Sequence, residues 1–483
     1  MSSERPQEHA TVVIIGAGPT GLSAAILLGQ RGVDVVVLER WADAYPQPRA
    51  VHLDDEVYRI VARLGLEDEF AAISRPSAGL RLLSPEHEVL AQFDRTNPCT
   101  VNGFPAANMF DQPDLEAILR HRVKAYPSVR LLGGAGVEEV RTDDGGRPQI
   151  LYVAEGVSRW IAAAYLLGCD GAKSITRAAV GATMVDLNFE QRWLVVDIAT
   201  ERELGHWEGV HQVCDTRRAA TYMRIGKHRH RWEFQLVGED GEETAADFST
   251  LDALAPLLAP WDTDLTGFDL IRTAEYTFRA QLAERWRRGR IFLLGDAAHL
   301  TPPFIGQGMG AGMRDAANLT WKIAGVLDGT LDEGVLDTYE QERRPHAEAM
   351  IRIAVVIGFA MTAGGRFGDL LRSVVAPRLR HLPGLGARIV DGTSPPLQRS
   401  ALVRKRRFSR SLAGRLAPNV FCGQRLDHWT AGRFAWVTTG PVSPRQDAVT
   451  IAADGELSDW LKAGRAAAAL VRPDGTVAEV LAR

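Results

Sequence analysis

Three glycines near the start of the chain have the spacing of a turn that binds a diphosphate. Gly16, Gly18 and Gly21 follow the β-branched run 11–15 and precede the apolar, helix-forming run 22–28. In the pattern G-x-G-x-x-G, the first glycine turns the chain, the second lets the backbone approach a pyrophosphate, and the third brings helix and strand together. The N-terminus of the following helix then faces the phosphates.

A carboxylate completes this pattern. The apolar run 33–38 predicts a second strand, and Glu39 follows it directly. At the end of such a strand a carboxylate can accept hydrogen bonds from ribose hydroxyl groups. Strand, turn, helix and second strand together predict an adenine-dinucleotide site.

Two aspartates occupy comparable positions later in the chain. Asp170 follows an apolar strand, and Asp296 ends the strand that begins at residue 290. A glycine-rich turn over residues 302–310 then leads into the helix-forming run 311–326. An aspartate at the carboxyl end of a parallel strand can hold a polyol chain in the crevice, and the turn directs backbone N–H groups at the same place.

The elements that must position these residues indicate an α/β fold. The continuous apolar strands are typical of a parallel, Rossmann-like sheet that is buried on both faces. Between residues 193 and 279 the runs alternate and are separated by turn-rich stretches, which predicts an antiparallel sheet inserted into the first domain. From residue 393 the composition changes again, at Ser-Pro-Pro-Leu, and indicates a further boundary.

At these motifs the sequence resembles the FAD-dependent aromatic hydroxylases, the single-component flavoprotein monooxygenases of the para-hydroxybenzoate hydroxylase fold. The shared motifs are the fingerprint at 16–21, D-G-x-x-S-x-x-R at 170–177, and G-D-A-A-H at 295–299 with its continuation P-P-x-x-G-Q-G at 302–308. The resemblance covers about residues 9–360. Stretches such as Arg231-Trp-Glu-Phe234 make the chain most similar to the 3-(3-hydroxyphenyl)propionate hydroxylase branch.

The resemblance implies a monooxygenase that uses FAD as cofactor and NAD(P)H and O₂ as co-substrates. Oxygen would pass from a flavin C4a-hydroperoxide to a phenolic aromatic substrate. Only one dinucleotide fingerprint is present, so the nicotinamide would bind transiently in a groove. The cofactor carries the difficult chemistry, and no metal is expected.

The resemblance also assigns roles to individual residues around the cofactor. Glu39 would hold the adenosine ribose, and Arg49 and Gln112 would contact the FAD phosphates and linker. Asp296 would hold the ribityl or pyrophosphate region, and Asp170 would lie at the interface of NAD(P)H and flavin.

The glycine-rich turn has a role of its own in this resemblance. The backbone N–H groups of Met309 and Gly310, next to Gly308, would face the flavin C2 carbonyl. A helix N-terminus there stabilises the negative charge of reduced flavin. The family usually has Asn where this chain has Gly310, which predicts a more mobile loop.

The substrate residues are expected in the basic segment 217–231. Arg231, Arg224 and Tyr222 are the candidates, and Arg231 matches the family's R-x-E-F strand. Two interpretations stay open: the segment is a solvated face, or one or two of its arginines pair with a carboxylate or phenolate. The second interpretation predicts a phenol with a short carboxylate side chain, hydroxylated ortho to its hydroxyl group.

No side chain is singled out as a catalytic base. Pro303 and His52 are candidates for a place beside the reacting ring. His299 is expected to be a structural hydrogen-bonding group rather than a base.

The predicted domain boundaries follow from these patterns and the resemblance. Residues 1–185 and 281–392 form the two parts of an FAD-binding domain, and residues 186–280 form the substrate-binding β-sheet domain. Residues 393–483 resemble the thioredoxin-like C-terminal module of several family members. This module has no CxxC pair, so disulfide exchange is excluded and packing or oligomer contact is expected.

Composition excludes several other classes of protein. The 483 residues are 46% hydrophobic and 24% charged, which is typical of globular chains. The 56 Lys and Arg against 60 Asp and Glu give a net charge of −4, so nucleic acid is not an expected partner. The uncharged stretch 11–30 is interrupted by glycines and a proline and is not expected to span a membrane. Four dispersed cysteines fit a cytoplasmic protein, and a homodimer is possible.

Two alternative functions stay open. One is an oxygenase of the same fold that tailors a polyketide or antibiotic. The other is a flavin-fold binding protein without catalysis, against which the intact Pro302-Pro303 turn and the two aspartates argue.

Overall fold

The computed structural model describes Pro6 and residues 8–45, 50–237, 243–362, 394–405, 411–421, 424–442 and 447–482. Its strands, in chain order, are β1 (Glu8–Ile15), β2 (Val35–Glu39), β3 (His52–Asp54), β4 (Ser74–Pro76), β5 (Gly79–Leu83), β6 (Val89–Asp94), β7 (Ala107–Phe110), β8 (Val129–Gly133), β9 (Gly136–Thr142), β10 (Pro148–Ala154), β11 (Val157–Gly168), β12 (Met184–Ala199), β13 (Val210–Val213), β14 (Ala220–Arg224), β15 (Arg229–Gln235), β16 (Asp269–Ala283), β17 (Arg287–Arg288), β18 (Ile291–Leu293), β19 (His299–Leu300), β20 (Val420–Phe421), β21 (Gln424–Arg425), β22 (Phe434–Thr438), β23 (Ala448–Ala452), β24 (Ala466–Val471) and β25 (Val477–Ala482).

The α-helices are α1 (Pro19–Gly29), α2 (Asp55–Arg63), α3 (Glu67–Ile73), α4 (Gln112–Val123), α5 (Ile175–Val180), α6 (Leu251–Leu258), α7 (Gly308–Leu327), α8 (Thr338–Thr362), α9 (Leu426–Thr430) and α10 (Gly455–Ala463). Short 3₁₀ turns cover Gly295–Ala297 and Pro303–Ile305.

The first sheet has the parallel centre that the apolar runs predicted. Its main path is β17-β18-β11-β1-β2-β8, with β10 beside β11 and β9 beside β10. The pairs from β18 through β8 are parallel, and residues 12–15 of β1 are almost fully buried. The carboxyl ends of β1, β2, β11 and β18 therefore lie at one edge of the sheet, where the glycine turn and the three acidic residues follow them.

The second sheet is largely antiparallel, in the order β19-β16-β12-β15-β14-β13-β5-β6. Its one parallel pair joins β13 to β5. Because β5 and β6 belong to residues 79–94, this sheet also uses chain from before residue 186. The insertion is therefore tied into the first domain by a strand pair as well as by its two connections.

The two faces of this second sheet have different neighbours. One face packs on α6 through a core that includes Leu194, Trp232 and Leu254. The other face meets the first domain: the rings of Trp193 and Phe304 are 6.0 Å apart between centroids, and Met223 packs with Val51. The space between the sheet and the first domain therefore lies on the second face.

The C-terminal part folds around a four-stranded sheet in the order β23-β22-β24-β25. The pair β22–β23 is parallel, and the pairs β22–β24 and β24–β25 are antiparallel. With α10 between β23 and β24, this topology is thioredoxin-like, as predicted. Among the described residues, no helix combines the length and the apolar character needed to cross a membrane.

Candidate functional site

The glycine turn has the geometry that its motif predicts. Gly16 has φ of 102°, and a Cβ there would lie 2.3 Å from the carbonyl oxygen of Cys169. A Cβ on Gly21 would lie 2.0 Å from the carbonyl oxygen of Gly16. Around the position of a Cβ on Gly18 nothing lies within 4 Å. Two glycines are thus required by close backbone packing, and the middle one leaves open space for a ligand.

Glu39 lies beside this turn at the end of β2. Its side chain is 8% exposed, and its carboxylate accepts hydrogen bonds from the N–H groups of Ala17 (2.6 Å) and Trp41 (3.0 Å). The carboxylate therefore fixes the backbone between Gly16 and Gly18 and stands where a ribose would meet β2.

Asp296 and Asp170 follow neighbouring strands but differ in their surroundings. Asp296 is exposed, in the 3₁₀ turn after β18. Asp170 accepts hydrogen bonds from the Ser174 hydroxyl (2.6 Å) and from both the N–H (2.9 Å) and the hydroxyl (3.0 Å) of Thr176. Asp170 thus orders the start of α5, which gives it a local structural role beside its predicted place at the nicotinamide–flavin interface.

The N-terminus of α7 points its first N–H groups out of the helix. Those of Gly308, Met309 and Gly310 precede the first helical hydrogen bond, which runs from Ala311 N–H to the Gln307 carbonyl at 2.8 Å. They are donors for an anionic or carbonyl group in the crevice.

A buried ion pair fixes this helix end. Asp54 accepts hydrogen bonds from Arg314 (2.6 Å) and from the Gln307 amide (2.7 Å). Arg314 also pairs with Glu56 at 3.0 Å. Sequence reasoning assigned no role to these residues, because β3 and α7 are far apart in the chain.

Gly310 lies in the first turn of α7 and not in a loop, and the greater mobility expected from this glycine stays a prediction. Gly310 is buried within the first turn of α7, and a Cβ there would lie 2.8 Å from Val57 Cγ2 and 3.0 Å from Arg314 Nη1. Close packing against α2 therefore explains the glycine at this position.

Two predicted residues, Pro303 and His52, lie at the Pro302–Gly306 turn. Pro303 begins the 3₁₀ segment of this turn. His52 lies against Gly306, because a Cβ built on Gly306 would be 2.7 Å from the imidazole Nδ1 of His52. Burial, followed by the charge of Arg95, lowers the pKa of His52 to about 4, so its ring is neutral near pH 7.

The two remaining cofactor candidates are Arg49 and Gln112. Arg49 lies outside the described residues. Gln112 accepts a hydrogen bond from the N–H of Ala50 at 2.7 Å and donates one to Glu116 at 2.6 Å. It therefore fixes the backbone next to Arg49.

The two arginines among the substrate candidates form ion pairs with acidic residues of the protein itself. Arg231 is 2% exposed and binds Asp197 through Nε (2.7 Å) and Nη2 (3.0 Å). Arg224 pairs with Glu203 and Glu208 at 3.0 and 3.3 Å. These ion pairs argue against either arginine as the cation that binds a substrate carboxylate.

Tyr222 lies on the wrong face of the sheet for a substrate contact. It packs in the core with α6, and its hydroxyl is 2.9 Å from His230 Nδ1. The alternation of β14 instead directs Thr221 and Met223 towards the first domain. On the same face lie Asp197 and Glu233, two carboxylates that the sequence analysis did not select.

His299 has the structural role that was expected. Its Nε2 is 2.8 Å from the carboxylate of Asp315, and both side chains are fully buried. Asp315 also binds Arg343 at 2.8 Å. This network anchors α7 and α8 to the end of β18.

The crevice suits FAD by its own geometry. Open space at Gly18 admits a pyrophosphate, Glu39 and Asp296 offer carboxylates at strand ends, and the first turn of α7 offers N–H donors. These are the groups that a dinucleotide with a polyol chain requires. Fold and site together define a dinucleotide-binding flavoprotein.

The comparisons with known proteins agree with this class. Residues 9–354 match the family described as "FAD binding domain", and the chain belongs to this family, with FAD as its cofactor. A probable NADH-specific resorcinol 4-hydroxylase of Rhodococcus jostii (strain RHA1) is 37% identical over 353 residues, which cover 73% of this chain and 65% of the relative. The chain thus matches somewhat less than two thirds of that relative's length.

Two further proteins extend the comparison. A 3-(3-hydroxy-phenyl)propionate/3-hydroxycinnamic acid hydroxylase of Burkholderia cenocepacia (strain HI2424) is 36% identical over 379 residues, covering 78% of this chain and 69% of the relative. Aklavinone-11 hydroxylase, solved with FAD and aklavinone, superimposes with a TM-score of 0.82 at 24% identity and covers 99% of this chain and 97% of that one. The chain thus shares the fold of FAD-dependent hydroxylases, and the two relatives above are named as aromatic hydroxylases.

Proposed function

We propose that the protein hydroxylates a small phenolic ring with NAD(P)H and O₂. The supporting observation is the placement of two surfaces: the cofactor crevice at the strand ends of the first sheet, and the polar face of the second sheet opposite the Pro302–Gly306 turn. The chemistry that FAD supplies when bound is hydride acceptance and activation of O₂.

The residues of this chain would bind the cofactor, orient the substrate and shield the site from water. We propose that Glu39 and Asp296 hold the ribose and the polyol chain. The N–H groups of the first turn of α7 would hold the flavin C2 carbonyl and stabilise negative charge there. Trp193 of the second sheet packs against Phe304 of the turn, where the two side chains would exclude water from the space beside the bound flavin.

The charges on the sheet face favour a neutral phenol over a phenolic acid. Arg231 and Arg272 both bind Asp197, and Glu233 lies 4.0 Å from Arg231. Two cations thus face two carboxylates, and no surplus positive charge remains within this group for a substrate carboxylate. We therefore propose a resorcinol-type substrate, in contrast to the acid expected from the basic segment.

The test is consumption of NADH and of NADPH with resorcinol and with 3-(3-hydroxyphenyl)propionate, with the product mass recorded. We expect slow consumption without substrate, a clear rise with resorcinol, and a product heavier by one oxygen atom. The control is 1,3-dimethoxybenzene, which has no hydroxyl group. Equal rates with and without every phenol would refute the proposed hydroxylation, and preference for the acid would refute the charge argument.

A homodimer and a cytoplasmic location stay predictions. Light scattering of the purified protein tests the first and fractionation of the producing cell tests the second. The tailoring of a polyketide stays the alternative and is tested by adding aklavinone to the same assay.

A further inference from the structure

Glu233 is a carboxylate in a position where carboxylates are normally paired. It lies on β15, opposite Val195 of β12 and Thr221 of β14. Its side chain is only 12% exposed. Within the described part of the chain, its one charged contact is Arg231 Nη1, at 4.0 Å from Oε1, and no hydrogen-bond donor reaches its oxygens. Since buried carboxylates are usually hydrogen-bonded, Glu233 has unused acceptor capacity.

The face of the sheet decides what Glu233 can reach. Side chains alternate along a strand, and directly paired residues share a face. Val195 therefore shares the face of Trp193, which packs against Phe304 of the turn. Thr221 shares the face of Met223, which packs with Val51 next to His52. Glu233 thus faces the space between these two contacts, over the cofactor crevice.

Of the two carboxylates in this group, Asp197 is bound by both arginines, whereas Glu233 can still accept hydrogen bonds. From its own strand it faces Arg231, from β12 Asp197, and from β16 Arg272. The Nε and Nη2 atoms of Arg231 are committed to Asp197, which also binds Arg272 at 2.7 Å. Farther along the sheet, Arg229 pairs with Asp111 at the start of α4.

We propose that Glu233 accepts the proton of the substrate's phenolic hydroxyl group. This inference rests on the proposed function. The O–H bond breaks, the proton moves to a Glu233 carboxylate oxygen, and the electron pair stays on the phenolate oxygen. Net charge is unchanged in this step, and the guanidinium of Arg231 stays near the new negative charge. The phenolate ring is richer in electrons at its ortho and para carbons, where oxygen is to be added.

The electrostatics of the site fit a base. Burial raises the pKa of Glu233, and Arg231 partly offsets this rise. A carboxylate with a raised pKa is a stronger base towards a phenol. On the side of β3, burial lowers the pKa of His52 to about 4, so its ring is neutral near pH 7.

Glu233→Gln tests the proposal in the full-length holoenzyme. We expect kcat/KM for resorcinol to fall about 100-fold, which is at the lower end of general-base effects. In the native protein kcat/KM should rise with pH as Glu233 ionises, and Glu233→Gln should lose this pH-dependent rise. Glu233→Asp keeps the carboxylate, so it should show the pH-dependent rise and a higher kcat/KM than Glu233→Gln.

A second measurement needs no turnover. Calorimetry of the FAD-loaded protein without NAD(P)H should show about tenfold weaker resorcinol binding in Glu233→Gln, from loss of a charged hydrogen bond. Binding of 1,3-dimethoxybenzene should be unchanged, because it has no proton to donate. The matched control is Glu275→Gln, a partly exposed glutamate of β16 that pairs with Arg192 at 2.8 Å. It should behave as the native protein does.

The outcomes separate this inference from the proposed function. If the native protein and Glu275→Gln both respond to resorcinol and Glu233→Gln retains their rate, pH profile and affinity, then Glu233 is not the proton acceptor. If the native protein responds to no phenol at all, the proposed function fails and this inference fails with it.

Discussion

At the scale of the residue, Glu39 has the best-defined surroundings among the proposed cofactor contacts. It holds the N–H groups of Ala17 and Trp41 and so keeps the glycine turn in place. Glu39→Ala removes both acceptors together with the proposed ribose contact. We expect FAD affinity to fall about 10- to 100-fold, from the ~1.5–3 kcal/mol of charged hydrogen bonds. Fluorescence titration of the apoprotein with FAD measures this loss.

Glu39→Gln is the control, because it keeps one acceptor oxygen at nearly the same volume. Its FAD affinity should lie between those of the native protein and Glu39→Ala. Native affinity in Glu39→Ala would contradict the role given to this carboxylate.

Residues of the nucleotide turn could be predicted because their chemistry is local. Gly16, Gly18, Gly21 and Glu39 occur within one strand–turn–helix–strand unit, and their spacing alone defines the shape of the turn. Arg231 could not be judged in the same way. Its partner Asp197 lies 34 residues away on β12, and only strand pairing brings the two together.

At the scale of the element, the first turn of α7 depends on its packing against α2. Gly310→Ala would gain up to ~1 kcal/mol of helix propensity. It would also force a Cβ to within 2.8 Å of Val57 Cγ2, and such overpacking costs ~1–3 kcal/mol. Val57 is buried and β-branched, so it cannot move away easily. We expect the overpacking to dominate, with a lower thermal midpoint and weaker FAD binding.

Gly308→Ala is the matched comparison in the same turn. The nearest atom to a Cβ at Gly308 is the Thr301 carbonyl oxygen at 3.9 Å, an ordinary contact distance. Its thermal midpoint should therefore be unchanged or slightly higher, as scanning calorimetry would show. Equal midpoints for the two variants would mean that the contact with Val57 does not constrain α7.

The elements differ in how well their sequence defines them. Continuous apolar runs were enough to predict the parallel strands of the first sheet, since such strands are buried on both faces. The β5–β6 hairpin was not predicted to join the second sheet. The hairpin joins that sheet through the parallel pair of β13 with β5. Because these two strands are far apart in the sequence, their pairing leaves no local pattern in the chain.

At the scale of the whole molecule, the C-terminal module is docked on the first domain by buried charges. Asp427, in α9, binds Arg59 and Arg63 of α2, with Nε and Nη contacts of 2.6–2.8 Å to each. A second link joins Arg472 of this module to Glu342 of α8 at 2.9 Å, where both side chains are fully buried. The module therefore packs on the dinucleotide-binding domain, one of the two roles expected for it.

Asp427→Ala should weaken this docking strongly. Removing one member of a buried ion pair costs ~3–5 kcal/mol because the remaining charges, here two guanidinium groups, are left without compensation. We expect a thermal midpoint lower by several degrees and faster proteolysis of the C-terminal module, measured by scanning calorimetry and by limited digestion followed by mass spectrometry.

The matched control and the pH dependence make this prediction specific. Glu479→Ala breaks the exposed pair with Arg404 in the same module and should change the midpoint little. Arg59 and Arg63 outweigh burial and hold the pKa of Asp427 well below its usual range. A depressed carboxyl pKa stabilises the folded state above the unfolded pKa of about 3.9, and the contribution is lost as the pH falls further. The difference between native protein and Asp427→Ala should therefore be constant from pH 6 to 8 and shrink only in acid. An undiminished midpoint at pH 7 would mean that the module is held by its apolar contacts alone.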